Sequence, residues 1–163
     1  MMKEDWIKKL NLIPHPEGGY YKETYRSSVS EEFNGFEGKR NACTSIYFML
    51  TKGNFSAFHK IKSDEMWHFY DGDSISIFVL TVEGEIEEIK LGLNFENGET
   101  PQAVVPAGAW FASRVSGVGE FALVGCTVAP GFDFQDFELA NRQELLSQYP
   151  KHAELITELT RVE

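Results

Sequence analysis

The sequence predicts an all-β jelly roll decorated with helices, on three observations. Short apolar or alternating runs, about eight to ten of them, are separated by turn residues at roughly 8–12-residue spacing, as in sandwiches and barrels. No helical segment falls between these runs, as a parallel α/β sheet would need. Helical periodicity appears only at the two ends of the chain. A jelly roll is the natural architecture.

The elements follow in order. Residues 4–12 set Trp6, Ile7 and Leu10 at helical spacing, a short amphipathic helix stopped by Pro14 and Pro16. His15-Pro16-Glu17-Gly18-Gly19 reads as a turn with unusual backbone angles. Residues 20–28 alternate, with Tyr21, Glu23 and Tyr25 opposite Tyr20, Lys22, Thr24 and Arg26. Such a strand suits a sheet edge or a subunit interface. Residues 29–41, rich in Gly and Glu, predict a mobile surface loop. Further strands are expected over 42–51, 58–62, 65–70, 74–82, 85–91, 102–105, 110–115 and 120–128, and Pro130-Gly131 ends them. Then the period changes. Leu139, Leu145, Leu146 and Tyr149 predict a helix over 137–149, and Leu155, Ile156 and Leu159 a last one over 153–160.

With 163 residues, 42% of them apolar, the chain is read as one domain, residues 1–163, with a sizeable core. A formal net charge of -10 argues against nucleic acid and against anionic membrane. No stretch approaches the ~20 apolar residues of a membrane span, and residues 1–10 lack the apolar core of a signal peptide. A cytoplasmic location is expected. Cys43 and Cys126, far apart in apolar runs, read as buried thiols rather than a disulfide.

The stretch from Gly53 to Gly72 concentrates the chemistry. It holds two of the four histidines, His59 and His68, with Glu65 between them. Read as a hairpin, with Ser63-Asp64 breaking two aromatic-rich strands, it brings an imidazole and a carboxylate together against aromatic walls. Gly53-x5-His59-x-Ile61-x3-Glu65-x6-Gly72 matches the first motif of the cupin superfamily except where Ile61 replaces a histidine. Pro106-x-Gly108-x2-Phe111 matches the second motif except where Phe111 replaces its histidine. With 14–21, 56–59, 63–70, 105–110 and 137–140 added, the chain resembles the Cupin_5 branch, a family of uncharacterised function. The resemblance implies a double-stranded β-helix (RmlC-like) with the ligand in the barrel mouth, usually in a homodimer.

Cupins that bind metal commonly use three histidines and a glutamate; here Ile61 and Phe111 take two of those positions. A divalent metal on His59, Glu65 and His68, the facial set of non-haem iron enzymes, is therefore the alternative and no cofactor is favoured. Strand parity sets Glu65, Trp67 and Phe69 against His68 and Tyr70, unless a bulge near Trp67 reverses it. The favoured reading is a small-molecule-binding cupin. Its polar centre is His59 and Glu65, and its candidate ligand contacts are Ser56, Phe58, Ile61, Trp67, His68, Trp110, Phe111, Tyr20 and Tyr47. If it is an enzyme, His59 acts as general base in a metal-independent isomerase or epimerase, with Tyr20, Tyr21 or Tyr47 as opposing acid. That resembles cupin epimerases of nucleotide-linked keto-sugars, with Lys60, Lys62 and Arg114 as the basic patch. The alternatives are a non-catalytic ligand-binding or sensing protein and a metal-dependent dioxygenase or decarboxylase. A purely structural His59–Glu65 hydrogen bond is the plainest reading.

Overall fold

The computed structural model describes residues 1–162. The chain begins with helix α1 (Lys3–Lys9), followed by β1 (Ile13–Pro14) and β2 (Tyr20–Arg26). Residues 29–41, expected as a mobile loop, instead contain a small hairpin of β3 (Ser30–Glu32) and β4 (Lys39–Asn41). Next come β5 (Thr44–Thr51), β6 (Phe55–Lys60), β7 (Asp64–Gly72), β8 (Ile75–Leu80) and β9 (Ile86–Leu91). β10 (Gln102–Val105), β11 (Phe111–Val115), β12 (Phe121–Ala129) and β13 (Glu138–Leu139) complete the strands, and α2 (Arg142–Gln148) and α3 (Ala153–Glu158) close the fold. The helix expected over 137–149 begins only at Arg142. Leu139 pairs with His59 in a strand, and the Asn141 side chain caps the helix by accepting the Glu144 N–H at 3.0 Å.

Apart from the separate β3–β4 hairpin, the strands form two antiparallel sheets packed face to face, the double-stranded β-helix. One has the order β1-β2-β5-β12-β7-β10, the other β13-β6-β11-β8-β9. This corrects the expected hairpin. β6 lies in the second sheet and β7 in the first, so the chain crosses the barrel at residues 61–63. His59 and Glu65 consequently arrive on opposite walls and face each other across the interior.

Three apolar clusters follow from strand alternation. Phe48, Trp67, Ile77, Phe111 and Val124 fill the space between the sheets. Phe58, Phe78, Leu80 and Ala112 point out of the second sheet and are covered by Leu145, Ile156 and Leu159 of the C-terminal helical segment. Met49, Phe121 and Leu123 point out of the first sheet beneath Trp6, Ile7 and Leu10 around α1. Each large apolar side chain so buried contributes roughly 1.5–3 kcal/mol. Both helical ends therefore serve as covers that free the barrel interior for a cavity.

Candidate functional site

At one end of the interior the core gives way to a cavity of about 500 Å³. Its walls are mostly aromatic and aliphatic, with Tyr21, Phe48, Ile61, Trp67, Phe132 and Phe137 among them. His15, His59, Glu65, Ser56 and Cys126 are set into those walls.

His59 stands on β6 between Phe111 on β11 and Leu139 on β13. Its ring lies 4.2 Å from the Phe111 centroid and stacks at 5.2 Å on Phe137. Nδ1 is 2.7 Å from the Ala57 carbonyl, which only accepts, so the neutral ring donates there and leaves Nε2 without a partner among the described residues. Burial drives its pKa down to about 4, further than the Ala57 bond can restore. His59 is thus a neutral acceptor at physiological pH rather than a strong base.

His15 reaches the same cavity from the loop before β2. Gly18 and Gly19, at φ 107° and 79°, press that loop against the Phe55 and Met49 carbonyls, where a Cβ would collide. The Glu17 N–H donates to His15 Nδ1 at 3.0 Å, so the neutral ring carries its proton on Nε2. Edge contacts to Tyr21 at 4.8 Å and Phe48 at 5.7 Å hold the ring, and burial lowers its pKa.

Glu65 enters from β7, beside Val128 on β12. Its side chain is half-buried at the cavity wall, and this burial pushes its pKa up to about 7, with the Cys126 thiol partly opposing the rise. The Cys126 thiol is itself held far above its ordinary value, first by burial and then by the Glu65 charge, and is no nucleophile. Among the described residues, no hydrogen bond joins His59 to Glu65.

The segment 130–137 roofs the cavity with Phe132, Phe134 and Phe137. It is pinned where Thr44 Oγ1 accepts the Phe132 N–H at 2.9 Å and where Arg40 grips Asp136 through two bonds of 2.8 Å. Both side chains of that pair are shielded from solvent, at 2% and 6% exposure. Asp136 is therefore a structural anchor.

Of the expected residues, Ser56, His59, Ile61, Glu65 and Trp67 line the cavity, and Phe111 packs behind His59. The others are elsewhere. Phe58 alternates with His59 and points into the cluster beneath the C-terminal helices, where Trp110 also packs under Lys60 Nζ at 4.6 Å. Tyr20 and Tyr47 project from the outer face against the α1 cluster. His68 is on the outer face too. Its Nε2 is 3.2 Å from Thr127 Oγ1 and its Nδ1 accepts from Gln102 Nε2 at 3.2 Å. The expected basic patch does not form, because Lys60 and Arg114 pair with Glu138 and Glu158 and none of Lys60, Lys62 and Arg114 lines the cavity. Sequence reasoning missed Phe48, Phe132 and Phe137 as lining residues and treated His15 as part of a turn. The Gly18-Gly19 pair, which demands a close backbone approach, was the available signal.

A metal on His59, Glu65 and His68 does not fit this geometry, since His68 is on the far side of the sheet. Among the described residues no group of three His, Cys, Asp or Glu side chains is placed to hold an ion.

Comparison with known proteins agrees with this architecture. The family described as Cupin superfamily (DUF985) matches residues 4–140. An uncharacterized protein of Saccharomyces cerevisiae is 36% identical over 145 residues, 81% of this chain and 70% of that protein. A protein of Shewanella oneidensis has a solved structure that superposes with a TM-score of 0.91 at 42% identity, over 100% of this chain and 99% of that one. A hypothetical protein from Leishmania major does so with a TM-score of 0.92 at 36% identity, over 99% of this chain and 100% of that one.

Proposed function

The chain belongs to the Cupin_5 family (DUF985) of the cupin superfamily, and from that premise we propose that it binds a small, partly apolar, carbonyl- or hydroxyl-bearing molecule in the barrel cavity. The observation that carries this reading is a roofed aromatic cavity holding a carboxyl poised near neutrality, Glu65, opposite a bare imidazole nitrogen, His59 Nε2. Any chemistry there is metal-independent proton transfer of the isomerase or epimerase kind. The proton carrier is Glu65 rather than His59, because a group titrating at about 7 can both take and return a proton at neutral pH. His59 holds a substrate hydroxyl or N–H. The metal-dependent reading lacks support in the donor set, with Ile61 and Phe111 at the motif positions and His68 facing outward.

A homodimer and a cytoplasmic location belong to the same proposal. The half-exposed Tyr70 and Val104 give the outer face of the first sheet an apolar surface for a second copy, and two free thiols suit a reducing compartment. The functional test is a binding screen of small carbonyl and hydroxyl compounds, followed by proton–deuterium exchange on each binder. Exchange that rises with pH through about 7 and vanishes in Glu65→Gln supports proton transfer. Binding without exchange leaves a non-catalytic sensor, and no binding removes the ligand-site reading.

A further inference from the structure

We propose that the ligand of this cavity is an uncharged planar heterocycle with a lactam-type edge, an N–H adjacent to a C=O, an inference that rests on the cavity being the ligand site. The two imidazoles set the pattern. His15 has Nδ1 occupied by the Glu17 N–H and presents an Nε2 donor, while His59 has Nδ1 spent on the Ala57 carbonyl and presents an Nε2 acceptor. One wall therefore gives a hydrogen bond and the other takes one.

Trp67 adds an unused donor. It is 2% exposed, lines the cavity, and its Nε1–H has no partner among the described residues. Native proteins rarely leave such a group unpaired, since its lost hydration is uncompensated. Ser113 Oγ is also buried without a partner among the described residues; it opposes Ile77 in register and so faces the packed space between the sheets, outside the cavity lining. An amide edge answers this arrangement, with its N–H donating to His59 Nε2 and its carbonyl oxygen, which has two lone pairs, accepting from His15 Nε2 and Trp67 Nε1. A hydrocarbon leaves His59, His15 and Trp67 unsatisfied.

Charge and shape narrow the class further. Arg26 is the cation lining the cavity among the described residues, and its guanidinium is already held by Glu23 at 2.6 Å, Asn41 Oδ1 at 2.9 Å and the Phe132 carbonyl at 3.2 Å. Glu17 and Asp133 add negative charge at the same walls. A phosphate or carboxylate would be desolvated there without a counter-charge. The rings of Tyr21, Phe48 and Phe137 favour a flat body, and about 500 Å³ accommodates a bicyclic ring system.

The test uses four probes of one shape, titrated calorimetrically at pH 7.5: quinolin-2-one, its N-methyl derivative, quinoline and quinoline-2-carboxylate. The expected result is quinolin-2-one at least tenfold tighter than the N-methyl compound and quinoline, with the carboxylate weakest. Trp67→Phe keeps a six-membered aromatic ring and removes the indole N–H; it should weaken quinolin-2-one about tenfold more than it weakens quinoline, whose retained binding also shows that the variant is folded. Equal affinities of quinolin-2-one and its N-methyl derivative for the unaltered protein overturn the lactam edge while leaving the cavity a ligand site. Failure of all four to bind also overturns the inference. The carbonyl and hydroxyl screen then decides separately whether the cavity reading falls with it.

Discussion

Replacing Glu65 by Gln should make the protein more stable at pH 8 than its parent while changing little at pH 4.5. The carboxyl's rise from its ordinary 4.5 to about 7 in the folded protein converts, at ~1.4 kcal/mol for each pH unit, to about 3 kcal/mol. Between those values the unfolded chain has released the proton and the folded one still holds it, so stability falls as pH rises. The loss is complete above pH 7. Because the carboxyl edges the cavity, water there relieves part of the penalty, and about 3 kcal/mol is an upper bound. His59 works in the opposite sense. Burial lowers it from 6.5 to about 4, so over that interval the unfolded chain holds the extra proton and stability rises with pH. In the parent these two slopes oppose each other between pH 4.5 and 6.5, and Glu65→Gln uncovers the rising one. Urea unfolding of both proteins at half-unit steps from pH 4.5 to 8.5 measures the difference directly, since every other titrating group cancels. A difference that does not grow with pH would refute a buried, proton-holding Glu65.

Further consequences concern the residues that support the site. Phe58→Ala removes a fully buried ring beneath the C-terminal helices and should cost about 3–5 kcal/mol in urea unfolding, yet leave cavity ligands bound with unchanged affinity at low temperature. Asp136→Ala strands the shielded Arg40 guanidinium and frees the roof segment. Its melting midpoint should fall by several degrees, with faster amide exchange in residues 132–137. His68→Ala acts on the outer face and should change stability by no more than about 1 kcal/mol; addition of iron, manganese, nickel or zinc should raise the midpoint of neither this variant nor its parent. A metal-induced rise in the parent that His68→Ala removes would restore His68 to an interior site.

Much of this architecture was legible in the chain. Turn spacing and the missing inter-strand helices indicate the β sandwich, and strand parity already separates Glu65 and Trp67 from His68. Parity decides other positions too: Phe58 must oppose His59, and Tyr20 must oppose Tyr21, which puts Phe58 and Tyr20 outside the barrel. Other features leave no local trace. Ser63-Asp64 looks the same whether its flanking strands pair or part, so the crossing between sheets passed for a hairpin turn. Asp136 sits in an acidic run that reads as solvated, and its partner Arg40 is 96 residues away. The exchange of roles between His59 and Glu65 arises from burial, a property of the assembled walls and not of either residue type.

The three tryptophans give the most direct test of the ligand cavity, because each reports from a different place. Trp67 lines the cavity, Trp110 packs beneath the C-terminal helices, and Trp6 donates its Nε1–H to Asp71 at 2.8 Å under α1. In a ¹H–¹⁵N spectrum their indole signals can be followed while a binder from the carbonyl screen is titrated in. The account predicts that the Trp67 signal moves with ligand concentration while those of Trp6 and Trp110 stay in place. Saturable shifts at Trp6 or Trp110 with Trp67 unmoved would place the ligand outside the barrel and contradict it.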